Sequence, residues 1–212
     1  MNSSNSKHWN DYYASKGVPS IPSQFAVFML NEVRPGVVID IGCGNGRDSM
    51  FFLSQDIPTI GIDGSESAVA LCKKQMSRIG TSEFIHADVG GDELSKEIIA
   101  LFDRWNFWGT TMIYARFFMH AITEEEETAF FRHAKAILTR AHGILAVEFR
   151  TPRDRSMEKA TPDHYRRFVD PIEFGAKAAS FGFHPEYFVE GQGFAKYKND
   201  DAHTARFIFE LK

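Results

Sequence analysis

The run VVIDIGCGNGRDSMFF, residues 37–52, constrains this chain more than any other stretch. A β-branched apolar run reaches Asp40 and Ile41, and glycines then fall at 42, 44 and 46. A short Val- and Ile-rich run stopped by glycine reads as a buried strand, and GRDSMFFLSQ behind it starts a helix. Strand, glycine turn and helix in that order let backbone pass very close to a ligand, because glycine carries no side chain to intrude. Asp40 narrows the ligand. Turns that seat a pyrophosphate on a helix N-terminus carry G-x-G-x-x-G. Here the spacing is G-x-G-x-G, and a carboxylate just before it repels a diphosphate and suits a ligand that carries positive charge and an amine.

Around this turn the elements alternate. PSQFAVFMLNEV (22–33) is a helix with proline at its start. PTIGID (58–63) is a second strand, and SESAVALCKKQMSRIG (65–80) a helix marked by a serine at one end and a glycine at the other. EFIHADV (83–89) is a third strand, DELSKEIIALFDRW a helix, and TTMIYARFF a fourth strand. TEEEETAFFRHAKAILTRAHG (123–143) is the clearest helix, capped by Thr123 with glutamates at its positive end. ILAVEFR (144–150) is a fifth strand; DPIEFGAKAASFGF carries a helix, and two late strands surround YFVEGQGFAKY and ARFIFELK. Strands alternating with helices predict an α/β fold: a doubly wound parallel sheet with helices on both faces, its last two strands an antiparallel pair at one edge. Ligands of such sheets bind beyond the carboxyl ends of the strands, where strand order reverses. That rim collects Asp40–Gly46, Asp63, Asp88, Tyr114–His120 and Glu148–Arg150.

Length and composition exclude several classes. The 212 residues fit one domain spanning 1–212. A net charge of −4 lacks the basic footprint of a nucleic-acid binder. Cys43 and Cys72 have no CxxC spacing and read as free thiols of a reducing compartment. MNSSNSKHWN has no apolar signal core, and FAVFML (25–30) is too short for a membrane span. The expected location is the cytoplasm. No residue cluster shows metal-ligand spacing, so no metal is expected.

S-adenosylmethionine has both a sulfonium and an α-amino group, the charges Asp40 favours. VIDIGCGNG resembles the first motif of class I S-adenosylmethionine-dependent methyltransferases, and the likeness continues in order through GIDGS and IHADV. The resemblance implies a seven-stranded, Rossmann-like sheet with an antiparallel last strand, and S-adenosylmethionine as methyl donor. It places Asp63 on the ribose hydroxyls, Asp88 on the adenine amine with Val89 beside the ring, and Asp40, Gly42, Gly44 and Gly46 along the methionine part. Taken singly, Asp63 and Asp88 are equally well read as caps of the helices that follow them. Relatives also close an N-terminal segment over the donor. In KHWNDYYASKG, within a 1–35 N-terminal cap, Trp9 and Tyr12 are the expected donor contacts, through cation–π attraction for a sulfonium. The other reading of that helix is simple packing on the sheet edge.

The acceptor side is read from YARFFMHAI, LAVEFR and RTPRDRSMEKATPDHYRRF. A hydroxyl nucleophile needs a base, and His120 is the first candidate, or else a helix-start or packing histidine; Glu148 is a second base or a substrate acceptor, or else the salt-bridge partner of a neighbouring arginine. Arg116 either grips an anionic substrate or pairs with Glu148, and Tyr114 either orients the donor or lines the site. Residues 150–170 read as a net-positive lid over the cleft, with Arg150, His164, Tyr165, Arg166 and Arg167 as substrate contacts, or else as a solvated loop. YARFFMHAI lacks the Asn-Pro-Pro-Tyr motif of many nucleic-acid and protein amine methylators. The expected activity is therefore methyl transfer to O or N of a small polar, anionic acceptor. YARFFMHAI, HYRRF and EGQGFAKY are similar to small bacterial polysaccharide and natural-product methyltransferases, and a sugar or glycan terminus is the preferred acceptor. The rival readings are a non-catalytic S-adenosylmethionine-binding module and a nicotinamide-dependent oxidoreductase.

Overall fold

The N-terminal part of the chain forms two helices, α1 (Ser3–Ala14) and α2 (Gln24–Glu32), ahead of the first strand. The structure, a computed structural model, describes residues 3–14, 20–76, 80–157, 159 and 165–212. Ser23 caps α2, its hydroxyl accepting the Ala26 N–H at 3.0 Å. The apolar run then becomes β1 (Val37–Ile41), buried at every position. The glycine turn leads into α3 (Arg47–Ser54), followed by β2 (Thr59–Asp63), α4 (Glu66–Met76), β3 (Ser82–His86) and α5 (Leu94–Trp105). β4 (Thr111–Arg116), α6 (Glu124–Arg140), β5 (Gly143–Arg150) and α7 (Pro171–Ser180) continue the alternation. β6 (Phe183–Gly191), β7 (Lys196–Tyr197), β8 (Asp200–Asp201) and β9 (Thr204–Leu211) complete it.

The main sheet has seven strands in the order β3-β2-β1-β4-β5-β9-β6. β1 pairs in parallel with both β2 and β4, so strand order reverses beside it. β9 runs antiparallel to both β5 and β6, so it alone opposes the other strands. The expected seven-stranded Rossmann-like sheet is present. One detail is sharper than expected: the last strand is interposed between β5 and β6, and Lys196–Tyr197 leaves the sheet to pair with Asp200–Asp201 in a separate small hairpin.

Alternation along the strands sorts side chains onto two faces. Val37, Ile39, Ile41, Ile113, Ala115, Leu145 and Val147 join the larger core, with Phe130, Phe131, Phe149, Phe174 and Phe209. Val38, Met112, Tyr114, Ala146 and Ile208 face the other side, against Phe25, Met29 and Phe52. Continuing that second stripe toward the strand ends puts Asp40, Arg116, Glu148 and Arg206 on the same face. Apolar residues hold the stripe in the sheet and polar ones finish it at the rim.

α6 begins as the sequence predicts: Thr123 Oγ1 accepts the Glu126 N–H at 3.2 Å while Glu126 accepts the Thr123 N–H at 2.9 Å. No helix among the described residues is long and apolar enough to cross a membrane.

Candidate active site

A chamber of about 200 Å³ opens at the carboxyl ends of β1, β2 and β4. Asp40, Asp48 and Asp63 line it together with Arg47, Gly42, Cys43, Gly44 and Gly64. Arg116, Arg150 and Arg166 line it too, with Phe117, His120, Asp200 and Tyr197 of the small hairpin. Trp9, Tyr12 and Tyr13 from α1 form the cover.

Gly44 shows why this turn needs glycine. Its φ is +57°, and a Cβ there would collide with the Tyr13 phenol. Its N–H donates to Asp63 Oδ2 at 2.8 Å, and the Ser65 N–H donates to Asp63 Oδ1 at 2.8 Å. Asp63 thus both caps the turn before α4, the plainer of its two readings, and lines the chamber. Burial pushes its carboxyl up from the ordinary value. Gly46 is different: a Cβ there would strike Met76 and Cys72, so its smallness serves the packing of α3 on α4, and it does not line the chamber.

Asp40 is buried and accepts the Ser49 hydroxyl at 2.6 Å. Burial, and next the nearby Asp48, push its carboxyl up to about 7. A buried carboxylate held this way gains from a cation beside it. The same stretch contributes Asp48, which the sequence does not single out because an acid in the first turn of a helix is ordinary. Its oxygens accept the Ser23 N–H at 2.7 Å, the Ser23 hydroxyl at 2.8 Å and the Tyr114 hydroxyl at 2.9 Å. Tyr114 lines the chamber, but its hydroxyl is spent on joining α2, α3 and β4.

Asp88 and Val89 do not line the main chamber. They stand in an adjoining recess of about 10 Å³ with Phe118, Ile122 and Glu126, and the recess shares Gly42, Asp63 and Gly64 with the chamber. Asp88 Oδ1 also accepts the Gly90 N–H at 2.9 Å, a cap-like bond. On the cover, Tyr13 lies on Gly44 of the glycine turn, and Tyr12 lines the chamber beside it. Asn10 docks the cover: its Oδ1 accepts the Ser65 hydroxyl at 2.7 Å and the Ser67 N–H at 3.3 Å, at the start of α4. Nothing in the sequence marks an asparagine in mid-helix for this task.

The acceptor-side residues divide. His120, buried in a 3-10 turn spanning Met119–Ala121, faces the chamber with its ring 5.1 Å from that of Phe117. Phe117 has φ +55°, a strained conformation for an aromatic residue, and lies 4.1 Å from the Arg116 guanidinium carbon and 5.1 Å from that of Arg150. Glu148 is fully buried behind the wall and does not line the chamber; Arg116 Nε stands 2.8 Å from its Oε1, and Arg206 Nε 2.6 Å from its Oε2. A carboxylate enclosed this way is not placed to touch reacting atoms.

Arg150 lines the chamber, but its terminal nitrogens are held by Asp154 at 2.7 Å and Asp200 at 2.6 Å. It fastens the small hairpin to β5. Of the expected lid contacts, Arg166 faces the chamber. Arg167 pairs with Glu127 of α6 and bonds the Met119 carbonyl instead, and Tyr165 is 47% exposed at the surface. His164 lies outside the described residues. Among the described residues no group of three or more His, Cys, Asp or Glu is placed to hold a metal.

The residues fit an S-adenosylmethionine donor on their own chemistry: a glycine turn that no Cβ could enter, a buried carboxylate pushed up toward neutrality, and aromatic rings lining the same chamber. Residues 38–141, which carry that turn and Asp63 and Asp88, match the family model described as a methyltransferase domain. No curated protein matches the chain in sequence. Solved structures share the fold. A S-adenosylmethionine-dependent methyltransferase from Anabaena variabilis is 18% identical, covering 98% of this chain and 95% of that one, with a TM-score of 0.69. A TehB-like S-adenosylmethionine-dependent methyltransferase from Corynebacterium glutamicum is 15% identical, covering 100% of both chains, with a TM-score of 0.66. A glycopeptide N-methyltransferase complexed with S-adenosyl-L-homocysteine is 10% identical, covering 94% of this chain and 91% of that one, with a TM-score of 0.68.

Fold and site together define an α/β protein whose chamber opens at the ends of the central parallel strands. Residues 38–141 match a methyltransferase domain, and the whole chain shares its fold with S-adenosylmethionine-dependent methyltransferases.

Proposed function

We propose that this enzyme methylates an O or N atom of a small, polar, anionic acceptor, with a sugar or glycan terminus as the preferred example. The observation that carries this reading is that one chamber is lined both by the carboxylates Asp40, Asp48 and Asp63 at the glycine turn and by the arginines around Phe117. A cationic donor and an anionic acceptor are each matched by the opposite charge. Aromatic faces at Trp9, Tyr12 and Tyr197 suit the apolar face of a sugar ring as well as a flat ring.

The donor supplies a methyl group already activated by its sulfonium, so the chain's task is alignment and exclusion of water. In this reading Asp40 faces the methionine end, Asp63 the ribose, and Asp88 with Val89 the adenine. His120 takes the proton of an acceptor hydroxyl, while an amine acceptor that is already neutral needs no base. Trp9, Tyr12 and Tyr13 keep bulk water from the transfer path. Residues 1–212 act as one domain, with 150–170 closing the acceptor side, in the cytoplasm, in keeping with two free, buried cysteines.

The test is a calorimetric titration with S-adenosylhomocysteine and with NADH, followed by methyl-labelled donor with uronic acids, phosphorylated sugars and their neutral counterparts. Binding of the homocysteine product alone, and label transfer to the anionic acceptors only, are the expected results. Label on neutral acceptors alone would refute the charge argument.

A further inference from the structure

Three residues on adjacent strands meet behind the chamber wall. Arg116 of β4 is the register partner of Glu148 of β5, and Glu148 is the register partner of Arg206 of β9. Direct cross-strand neighbours bring their side chains together, and here one buried carboxylate receives two guanidiniums. The group carries a net charge of plus one where burial makes charge costly.

That excess sits on Arg116. Arg206 is committed: Nε bonds Glu148, Nη2 bonds the Phe194 carbonyl at 2.6 Å, and the rings of Phe25, Phe28 and Phe194 surround its guanidinium at 5.1, 5.4 and 5.1 Å. It does not line the chamber. Arg116 does; its Nε stands 2.8 Å from Glu148 Oε1 as an ion pair without an aligned hydrogen bond, and among the described residues no protein acceptor bonds its terminal nitrogens. Asp48, the other carboxylate nearby, is already engaged by Ser23 and Tyr114, with Arg47 Nε 3.8 Å away. The Arg116 guanidinium also rests on Phe117, whose left-handed backbone turns the ring to this place. A guanidinium held by an ion pair at Nε and by one aromatic face leaves its two terminal nitrogens as a fork for an oxyanion.

We propose that Arg116 is the clamp for an oxyanion on the methyl acceptor, a carboxylate or a phosphate ester, and that Arg206 is a positioning residue that aims it through Glu148. The proposal rests on the methyl-transfer reading. Without Arg206, Glu148 would pair with Arg116 alone and cancel its charge. The Phe194 carbonyl would lose its partner too, loosening the stretch that brings Ala195 and Tyr197 to the chamber.

The test titrates the protein, saturated with S-adenosylhomocysteine, with benzoate and with inorganic phosphate at constant ionic strength. Wild type binds at least one of them, and which one binds separates carboxylate from phosphate ester. Arg116→Gln weakens that binding by about tenfold or more, the equivalent of about 1.4 kcal/mol. Arg206→Met weakens it comparably although residue 206 touches no ligand, and the double variant Arg206→Met with Glu148→Gln restores it, because the lone carboxylate is gone. Affinity for S-adenosylhomocysteine stays the same throughout. Should Arg206→Met fail to fold, Arg206→Lys, which keeps the charge but cannot reach both partners in one fork, gives an intermediate loss. Equal anion affinity in wild type and Arg116→Gln overturns the clamp. So does a wild-type protein that binds S-adenosylhomocysteine but neither anion, an outcome that leaves the methyl-transfer reading standing. Failure to bind S-adenosylhomocysteine removes both. Unchanged anion affinity in the Arg206 variants, or no recovery in the double variant, overturns the positioning role.

Discussion

The N–H of Gly44 donates to Asp63 Oδ2 at 2.8 Å, so the glycine turn after β1 and the acid ending β2 form one unit. Asp63→Ala removes that bond and the one from Ser65 together. Affinity for S-adenosylhomocysteine is expected to fall by about 1–3 kcal/mol, the penalty for losing hydrogen bonds to a charged partner. Calorimetry measures it directly, and an unchanged dissociation constant would remove Asp63 from the donor site.

Gly44→Ala faces two costs. A left-handed backbone disfavours any Cβ by about 1–2 kcal/mol, and the new methyl would press on Tyr13. The variant should melt lower than wild type and bind S-adenosylhomocysteine more weakly. Gly193→Ala makes a useful control, since its φ is also positive, at +84°, but nothing stands within 4 Å of the added Cβ. Chemical denaturation of the two separates strain from collision, and equal losses would argue against the Tyr13 contact.

If Asp40 faces the donor as proposed, donor binding should be sensitive to pH. Its carboxyl is raised to about 7 from 3.8. Between these values the folded protein holds a proton that the unfolded chain has released. The stability this contributes is present at low pH and is lost as pH rises through about 7. A cationic donor favours the carboxylate form. Donor binding below pH 7 should therefore release a proton, and affinity should climb with pH up to about 7, until near pH 8 the donor's own amine starts to lose its charge. Calorimetry at pH 6 in buffers of different ionisation enthalpy reads the proton. Asp40→Asn should abolish the release, weaken donor binding, and raise the melting temperature at pH 8 by removing a buried charge. Proton release that persists in Asp40→Asn would assign the titration elsewhere.

Asn10 ties the aromatic cover to the start of α4 through Ser65 and Ser67. Asn10→Ala should cost about 1 kcal/mol, as loss of a helix cap does. Hydrogen exchange should accelerate at residues 8–14 and at the first turn of α4, with β1 unaffected. Exchange unchanged in α1 would mean that its aromatic residues alone hold it down.

Features built from residues close together in the chain are legible in the order of amino acids alone. The strand that ends at Asp40, the glycine turn, the acid at Asp63 and the capping box at Thr123 each depend on a few neighbouring residues, so spacing and residue type settle them. The alternation of strands with helices likewise implies the parallel sheet and its antiparallel end. The rest depends on register between distant strands. Arg206 in ARFIFELK looks like a stray charge in an apolar run, and only its pairing across β5 with Glu148, and through it with Arg116, turns all three into one buried group. The same holds for Arg150, which lines the chamber with its terminal nitrogens committed to Asp154 and Asp200, and for Tyr13, which lines the chamber beside Tyr12 and lies on Gly44. Chain-local chemistry determined where the glycine turn is. Only strand register and helix docking, which a one-residue slip would change, decided which charges are spent within the protein and which face the chamber.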